Sequence, residues 1–159
     1  MDANSIRSYP TVYPIGHRAI SNIFSGPVLV EEKCDGSQFS FGLIGGELVC
    51  RSKGKQQLID APDKMFNQAI ATVKTLDLHP EWTYRGEFLG KPKHNTLAYS
   101  RVPQRNIIIY DVNTGLEEYM PLEEKHMEAQ RLGLEFVPAM FEGTVTDFEM
   151  FKSFLDRFW

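Results

Sequence analysis

Apolar positions along the chain change period several times, and each change marks a different element. Val28-Leu29-Val30 is a short β-branched run after Gly26-Pro27, which predicts a buried strand beginning at a turn. Gln38 to Ile44 and Glu47 to Ser52 are strand-length runs separated by Gly45-Gly46, the residue choice of a two-residue hairpin turn. Setting Ile44 opposite Glu47 pairs Leu43 with Leu48, Phe41 with Cys50 and Phe39 with Ser52, so one hairpin face is core. The other face collects Gln38, Ser40, Gly42, Val49 and Arg51. Trp82 to Phe88 and Asn106 to Val112 read as two further strands, the second an isoleucine run closed by Tyr110-Asp111.

Elsewhere the period lengthens to that of a helix. Met65, Phe66, Ala69, Ile70 and Val73 form an apolar stripe that predicts a helix over 62–76. A second is expected over 121–132, with Pro121 at its start and Gly133 at its end. Phe148, Phe151, Phe154, Leu155 and Phe158 predict a third, in or just after which the chain stops. The fold class expected is α+β, with mixed, largely antiparallel strands flanked by helices. At 159 residues, a single domain over 1–159 with a sizeable core is the size expectation.

Composition narrows the setting. No stretch is long enough for a transmembrane helix, so no membrane partner is expected, and neither repeats nor low-complexity segments occur. Cys34 and Cys50, with no signal peptide, argue for a reducing, cytoplasmic compartment, and Cys50 falls on the apolar hairpin face. The four histidines are too scattered for a structural zinc site. A net charge of −4 excludes a uniformly basic surface. Lys91, Lys93, Arg101 and Arg105 nevertheless cluster, with Tyr99 among them, as a phosphate-holding patch or a mixed solvated loop. The acidic stretch from Glu117 to Glu128 reads as solubilising.

The sharpest chemical signal is Glu32-Lys33-Cys34-Asp35-Gly36-Ser37. A lysine amine has a reference pKa of about 10.4, so it becomes a nucleophile near neutrality only where desolvation or a neighbouring cation disfavours the ammonium. Arg51 on the facing hairpin, or a bound metal, would supply that push. The chemistry that fits is attack on the α-phosphorus of a nucleoside triphosphate, with Gly36 letting backbone approach the phosphates. Asp-Gly is equally a common turn signal, and a lysine before it is often only a solvated charge. The order of the remaining parts decides between these readings.

That order is a lysine turn, Cys50-Arg51-Ser52-Lys53, Tyr84-Arg85-Gly86-Glu87-Phe88 running into Leu89-Gly90-Lys91-Pro92-Lys93-His94-Asn95-Thr96, then Ile109-Tyr110-Asp111-Val112. It resembles motifs I, Ia, III and IIIa of the covalent nucleotidyltransferases, the superfamily of DNA and RNA ligases and messenger RNA capping enzymes. Within it the chain is most similar to ATP-dependent RNA ligases of the RNA ligase 2-like group. The resemblance implies a nucleotidyltransferase fold, ATP, magnesium or manganese, and RNA or another polynucleotide with 5′-phosphate and 3′-hydroxyl ends. It also implies that Lys33 becomes adenylylated, Glu32 helps recognise adenine, Arg51 lies near the nucleotide and the 5′-phosphate, Glu87 contacts the ribose, and Tyr110 stacks on the base. Asp35 either orients Lys33 or makes the turn. Lys91, Lys93 and Arg101 are the expected substrate-facing cations, and no metal ligands are assigned.

Two family motifs are not recognised. Glu142-Gly143-Thr144-Val145 resembles motif IV, but Thr146-Asp147 follow where apolar residues and a lysine belong. Lys91-Pro92-Lys93 has the spacing of motif V in a proline-containing segment unsuited to a central strand. The chain is therefore expected to be incomplete at its C-terminal side, as a truncated, split or fragment form. The alternative is a non-catalytic nucleotide- or RNA-binding domain derived from a ligase. A GTP-preferring capping-type guanylyltransferase ranks below both.

Overall fold

The computed structural model describes residues 4–155. The expected apolar end at Phe158 and Trp159 lies outside them. The described strands, numbered along the chain, are β1 (Val28–Glu31), β2 (Ser37–Ile44), β3 (Glu47–Ser52), β4 (Gln56–Gln57), β5 (Thr83–Phe88), β6 (Ile107–Gly115), β7 (Glu118–Tyr119), β8 (Glu135–Phe136) and β9 (Ala139–Gly143). The helices are α1 (Asn67–Val73), α2 (Leu122–Leu132) and α3 (Phe148–Leu155). The chain divides into two compact units, Met1–Tyr9 with Cys34–Phe136, and Pro10–Lys33 with Val137–Trp159.

The larger unit is built on one sheet in the order β4-β3-β2-β5-β6-β7, with β8 also pairing β6. All its pairings are antiparallel except β6 with β8. The β2–β3 register is the expected one, from Ile44 opposite Glu47 to Phe39 opposite Ser52. Gly45 and Gly46 have φ of 60° and 82°, the left-handed pair that matches a two-residue turn to the twist of its strands. One sheet face carries Phe39, Phe41, Cys50, Tyr84, Phe88, Ile107, Ile109 and Val112, and packs with Ala69, Ile70 and Val73 of α1 and Ala129 and Leu132 of α2.

The first helix is shorter than the stripe predicts. A 3₁₀ turn over Lys64–Phe66 leads into α1, and the change from three to 3.6 residues per turn breaks the stripe. Phe66 stays in the core while Met65 is 51% exposed. α2 ends as expected, with Gly133 at φ 74° donating its N–H to the Ala129 and Gln130 carbonyls. Its polar face is not simply solvated. Glu128 is buried, accepting the Tyr84 hydroxyl at 2.5 Å and Arg131 Nε at 2.7 Å, and Lys125 is 3% exposed.

Cys50 is fully buried, and that burial pushes its thiol up to about 12. An alkylating reagent at pH 8 is therefore expected to leave Cys50 unmodified in the native chain and to label it once denaturant unfolds the sheet. Peptide mapping reads the site, and native-state labelling of Cys50 would contradict this packing.

In the smaller unit β1 pairs antiparallel with β9, setting Val28 opposite Gly143, Leu29 opposite Glu142 and Val30 opposite Phe141. The strand expected to be buried is half-buried along its length, because this described sheet has only two strands. α3 packs Phe154 on the Phe141 ring at 4.9 Å and Phe151 on Phe24 at 5.5 Å. No helix among the described residues is long and apolar enough to cross a membrane.

Candidate active site

The second face of the larger sheet carries the polar residues of the sequence motifs. Alternation along β5 sends Tyr84 and Phe88 into the core, and turns Arg85 and Glu87 the other way. Across β2 these meet Ser40 and Gln38 respectively. On the β6 side the register slips, so that Arg85 faces Asp111 while Gly86 faces Ile109, leaving Tyr110 as an extra residue. Strict alternation from Ile107 and Ile109 would put Asp111 in the core. The bulge gives that place to Val112, 0% exposed, and keeps both Tyr110 and Asp111 out of the apolar cluster.

Asp111 accepts the Tyr9 hydroxyl and, at 3.1 Å, Lys125 Nζ, which also donates to the Tyr110 carbonyl at 2.8 Å. Burial and then the Asp111 hydrogen bond push the Tyr9 hydroxyl far above its usual range. The Tyr9 ring meets Tyr110 edge-to-face, with centroids 5.0 Å apart. Burial, followed by the Glu87 carboxylate, likewise raises Tyr110, whose hydroxyl has Gln38 as a side-chain partner.

Two arginines hold the N-terminal segment across this face. Arg85 is 5% exposed and donates from Nε to Asn113 Oδ1 at 2.9 Å, and from Nη1 to Ser40 Oγ at 2.9 Å and the Arg7 carbonyl at 2.6 Å. Desolvation lowers its pKa from the usual arginine value. Arg51 donates to Ser8 Oγ at 3.2 Å and the Ile6 carbonyl at 3.5 Å. The expected anion partner is thus partly engaged by chain residues, within a guanidinium that carries five donors.

The turn after Lys33 is fixed from two directions. Glu87 accepts the Gly36 N–H at 3.1 Å. A Cβ on Gly36 would lie 2.5 Å from the Phe88 carbonyl oxygen and 2.8 Å from Leu89 Cδ1. The close approach that this glycine permits in the folded chain is to the end of β5. On the other side, Asp35 Oδ2 accepts the N–H groups of Thr96 and Leu97, each at 2.8 Å. The Asp35 N–H donates to the Tyr99 hydroxyl, and Asn95 Nδ2 to the Gly36 carbonyl, both at 2.8 Å. His94 Nδ1 accepts the Gly90 N–H at 3.1 Å and Nε2 lies 2.8 Å from Ser37 Oγ. A backbone N–H can only donate, so Nδ1 is unprotonated and the ring proton sits on Nε2, where it donates to Ser37.

The Leu97 N–H above all, joined by the Thr96 N–H and the Asn95 side chain, holds the Asp35 carboxyl below the usual aspartate range against the desolvation that raises it. A depressed folded pKa means that the anchor is complete above about pH 4 and is lost as pH falls through the lowered value. Amide exchange at Thr96 and Leu97 is expected to accelerate below about pH 4, relative to β5 and β6 amides, and to lose that pH step in Asp35→Asn. An unchanged step in the variant would contradict the anchor.

The structure therefore brings Asp35, Gly36 and Glu87 together and sets Arg51 and Tyr110 on the same sheet face as Glu87. Lys91 and Lys93 are exposed on the loop after β5. Arg101 makes a bidentate pair with Glu135 at 2.6 and 2.8 Å. Glu32 and Lys33 belong to the smaller unit, where the Glu32 N–H donates to the Pro138 carbonyl at 3.0 Å and Lys33 is exposed, directly preceding Cys34 in the chain. Tyr9, Asp111, Lys125, His94 and Tyr99 are structural partners to which the sequence assigned no such role. His94 and Asn95 stood inside a quoted motif, whereas Tyr9 lies in a segment without periodicity.

Among the described residues no three His, Cys, Asp or Glu side chains converge as metal ligands.

Residues 26–156 match the RNA ligase family. An archaeal ATP-dependent RNA ligase shares the fold: its form 1 aligns with a TM-score of 0.61 at 18% identity, over 95% of this chain and 40% of that one. Its form 2 gives 0.58 at 20% identity, over 86% and 38%. A 110-residue stretch is 29% identical to the phenylalanine–tRNA ligase beta subunit of Rickettsia bellii (strain RML369-C), covering 69% of this chain and 11% of that protein. The chain spans about two fifths of the archaeal ligase, at 40% and 38% of the two forms. A match that runs from before the lysine turn through the last described helix, on the fold of an ATP-dependent RNA ligase, places this chain in the RNA ligase family.

Proposed function

We propose that this chain carries the nucleotide-accepting part of an ATP-dependent polynucleotide ligase, with Lys33 as the nucleophile. The observation that carries the reading is the rigid docking of the turn following Lys33, by Glu87 on Gly36 and by residues 94–99 on Asp35 and Gly36. A nucleophile gains most from a fixed approach, and fixing the turn removes freedom that attack would otherwise have to overcome.

In this reading the Lys33 Nζ lone pair, its ammonium proton lost, attacks the α-phosphorus of ATP. The Pα–N bond forms, the bond from Pα to the bridging oxygen breaks, and pyrophosphate leaves. An oxygen of a 5′-phosphate then attacks the same phosphorus, the P–N bond breaks and the amine regains a proton. Finally a 3′-hydroxyl attacks the 5′-phosphorus, loses its proton and displaces AMP. Glu32 recognises adenine. Glu87, which holds the Gly36 N–H, also binds a ribose hydroxyl, since a carboxylate accepts about four hydrogen bonds. Tyr110, its ring set by Tyr9, stacks on the base. Arg51, Lys91 and Lys93 face phosphates, and Arg101 is left out because Glu135 holds its guanidinium.

ATP labelled at the α-phosphate is expected to leave label on the wild-type chain and none on Lys33→Ala, while γ-labelled ATP labels neither. Label from GTP but not ATP would favour a capping-type enzyme. Saturable ATP binding with no covalent label would favour a non-catalytic nucleotide-binding domain.

A further inference from the structure

A groove of about 520 Å³ opens on the larger unit between the 3₁₀–α1 corner and the loop after β5. It is lined by Lys64, Met65, Asn67, Gln68, Phe88, Gly90, Lys91, His94 and Asn95. No carboxylate is among these residues, in a chain whose net charge is −4. Among the described residues neither Lys64 nor Lys91 is ion-paired, whereas Lys55, Lys125 and Lys152 are. Two exposed ammonium groups facing amide and imidazole side chains make a local anion-attracting trough on an acidic protein.

We propose that this groove binds the phosphodiester backbone of the polynucleotide substrate; the proposal rests on the ligase reading above and adds a site for the strand. The lining decides what is recognised. Of its two ring residues, Phe88 is 2% exposed, and the half-buried His94 ring packs edge-on against it with both nitrogens engaged by Gly90 and Ser37, so the lining favours backbone contacts over stacking of a base or the adenine of ATP. What it offers is point charge from Lys64 and Lys91, the Asn67 amide, and the second N–H of the Gln68 amide, whose first N–H goes to Asn106, a donor set that contacts phosphate and sugar without reading sequence. The groove is also joined to the lysine turn. Ser37, four residues after Lys33, touches two of its lining residues, His94 Nε2 at 2.8 Å and Met65 Sδ at 3.6 Å. A strand held here therefore lies against the far side of the Asp35-Gly36-Ser37 segment.

The test is fluorescence anisotropy of a 5′-phosphorylated single-stranded RNA and of the matching nicked duplex, titrated with the full chain over a range of salt. Lys64→Glu and Lys91→Glu are each expected to weaken binding at least threefold. The double variant should weaken it tenfold or more, with a salt slope shallower by about one to two. Lys74→Glu, the same charge change at the exposed end of α1, should alter it less than twofold. Equal losses in Lys64→Glu and Lys74→Glu would reduce the effect to net charge and overturn the site. So would a double variant that binds like wild type, or a wild-type chain that binds neither RNA at low salt. A double variant that retains RNA but loses ATP binding would assign the groove to the nucleotide and also overturn the proposal. α-Phosphate labelling of wild type is read separately. Label without a groove effect would sink the groove alone, and a groove effect without label would sink the nucleophile reading alone.

Discussion

Arg85→Ala is expected to destabilise the larger unit by about 3 kcal/mol. The guanidinium is 5% exposed and supplies donors to Asn113 Oδ1, Ser40 Oγ and the Arg7 carbonyl. Truncation strands the buried Ser40 and Asn113 acceptors at about 1 kcal/mol each, and removes the packing of the buried guanidinium as well. It also releases the segment carrying Tyr9, whose hydroxyl is bound to Asp111 and whose ring sets Tyr110. A chain of this length loses roughly 2–4 °C of Tm per kcal/mol, so thermal melting should fall by roughly 6–12 °C. Arg85→Lys keeps a charge but not the fork and should fall between the two. A melting temperature unchanged in Arg85→Ala would mean that the N-terminal segment is held by other contacts.

Gly36→Ala is expected to reduce covalent nucleotide transfer to Lys33 by about a hundredfold, the scale of loss when a reacting group is displaced by about 1 Å. The added Cβ would sit 2.5 Å from the Phe88 carbonyl oxygen, a backbone atom within the β2–β5 pairing that cannot swing aside. The turn must move instead, and that motion pulls Gly36 N–H from Glu87 and strains the Asp35 contacts with Thr96 and Leu97. Overpacking of this kind costs about 1–3 kcal/mol, so the chain should still fold. Labelling rate and thermal melting are measured together. A full labelling rate in a folded Gly36→Ala chain would show that turn position does not govern attack.

Much of this arrangement was legible in the residues because local chemistry and global packing agree there. Gly45-Gly46 specified both the hairpin and its register, since a two-residue turn leaves no freedom to slip when Phe39, Phe41 and Cys50 must share one face. Pro121 and Gly133 bracketed α2 for equally local reasons. The lysine turn, Glu87 and Tyr110 are expected site residues from an ordered series of motifs, and the structure sets Glu87 on the Gly36 N–H of that turn.

The parts that were not legible depend on partners distant in sequence. The bulge at Tyr110 is a property of the β5–β6 pairing and leaves no mark in Ile107-Ile108-Ile109-Tyr110-Asp111. Arg101 sat among cations along the chain, yet its partner Glu135 lies 34 positions away. Glu128 looked like one more solvating carboxylate until the Tyr84 hydroxyl met it 44 positions away. Asp35 had two readings in sequence. Its contacts with Thr96 and Leu97 support the turn-making one and leave the orientation of Lys33 to the turn as a whole.

In the proposed reaction Lys33 itself takes up the nucleotide. The most direct measurement is mass spectrometry of the intact chain after incubation with ATP and a divalent metal, followed by proteolysis at neutral to alkaline pH to map the added mass. The expected result is a gain of one AMP, located on the peptide containing Glu32-Lys33-Cys34, and absent from Lys33→Ala. AMP on any other lysine, or a gain that persists in Lys33→Ala, would contradict it.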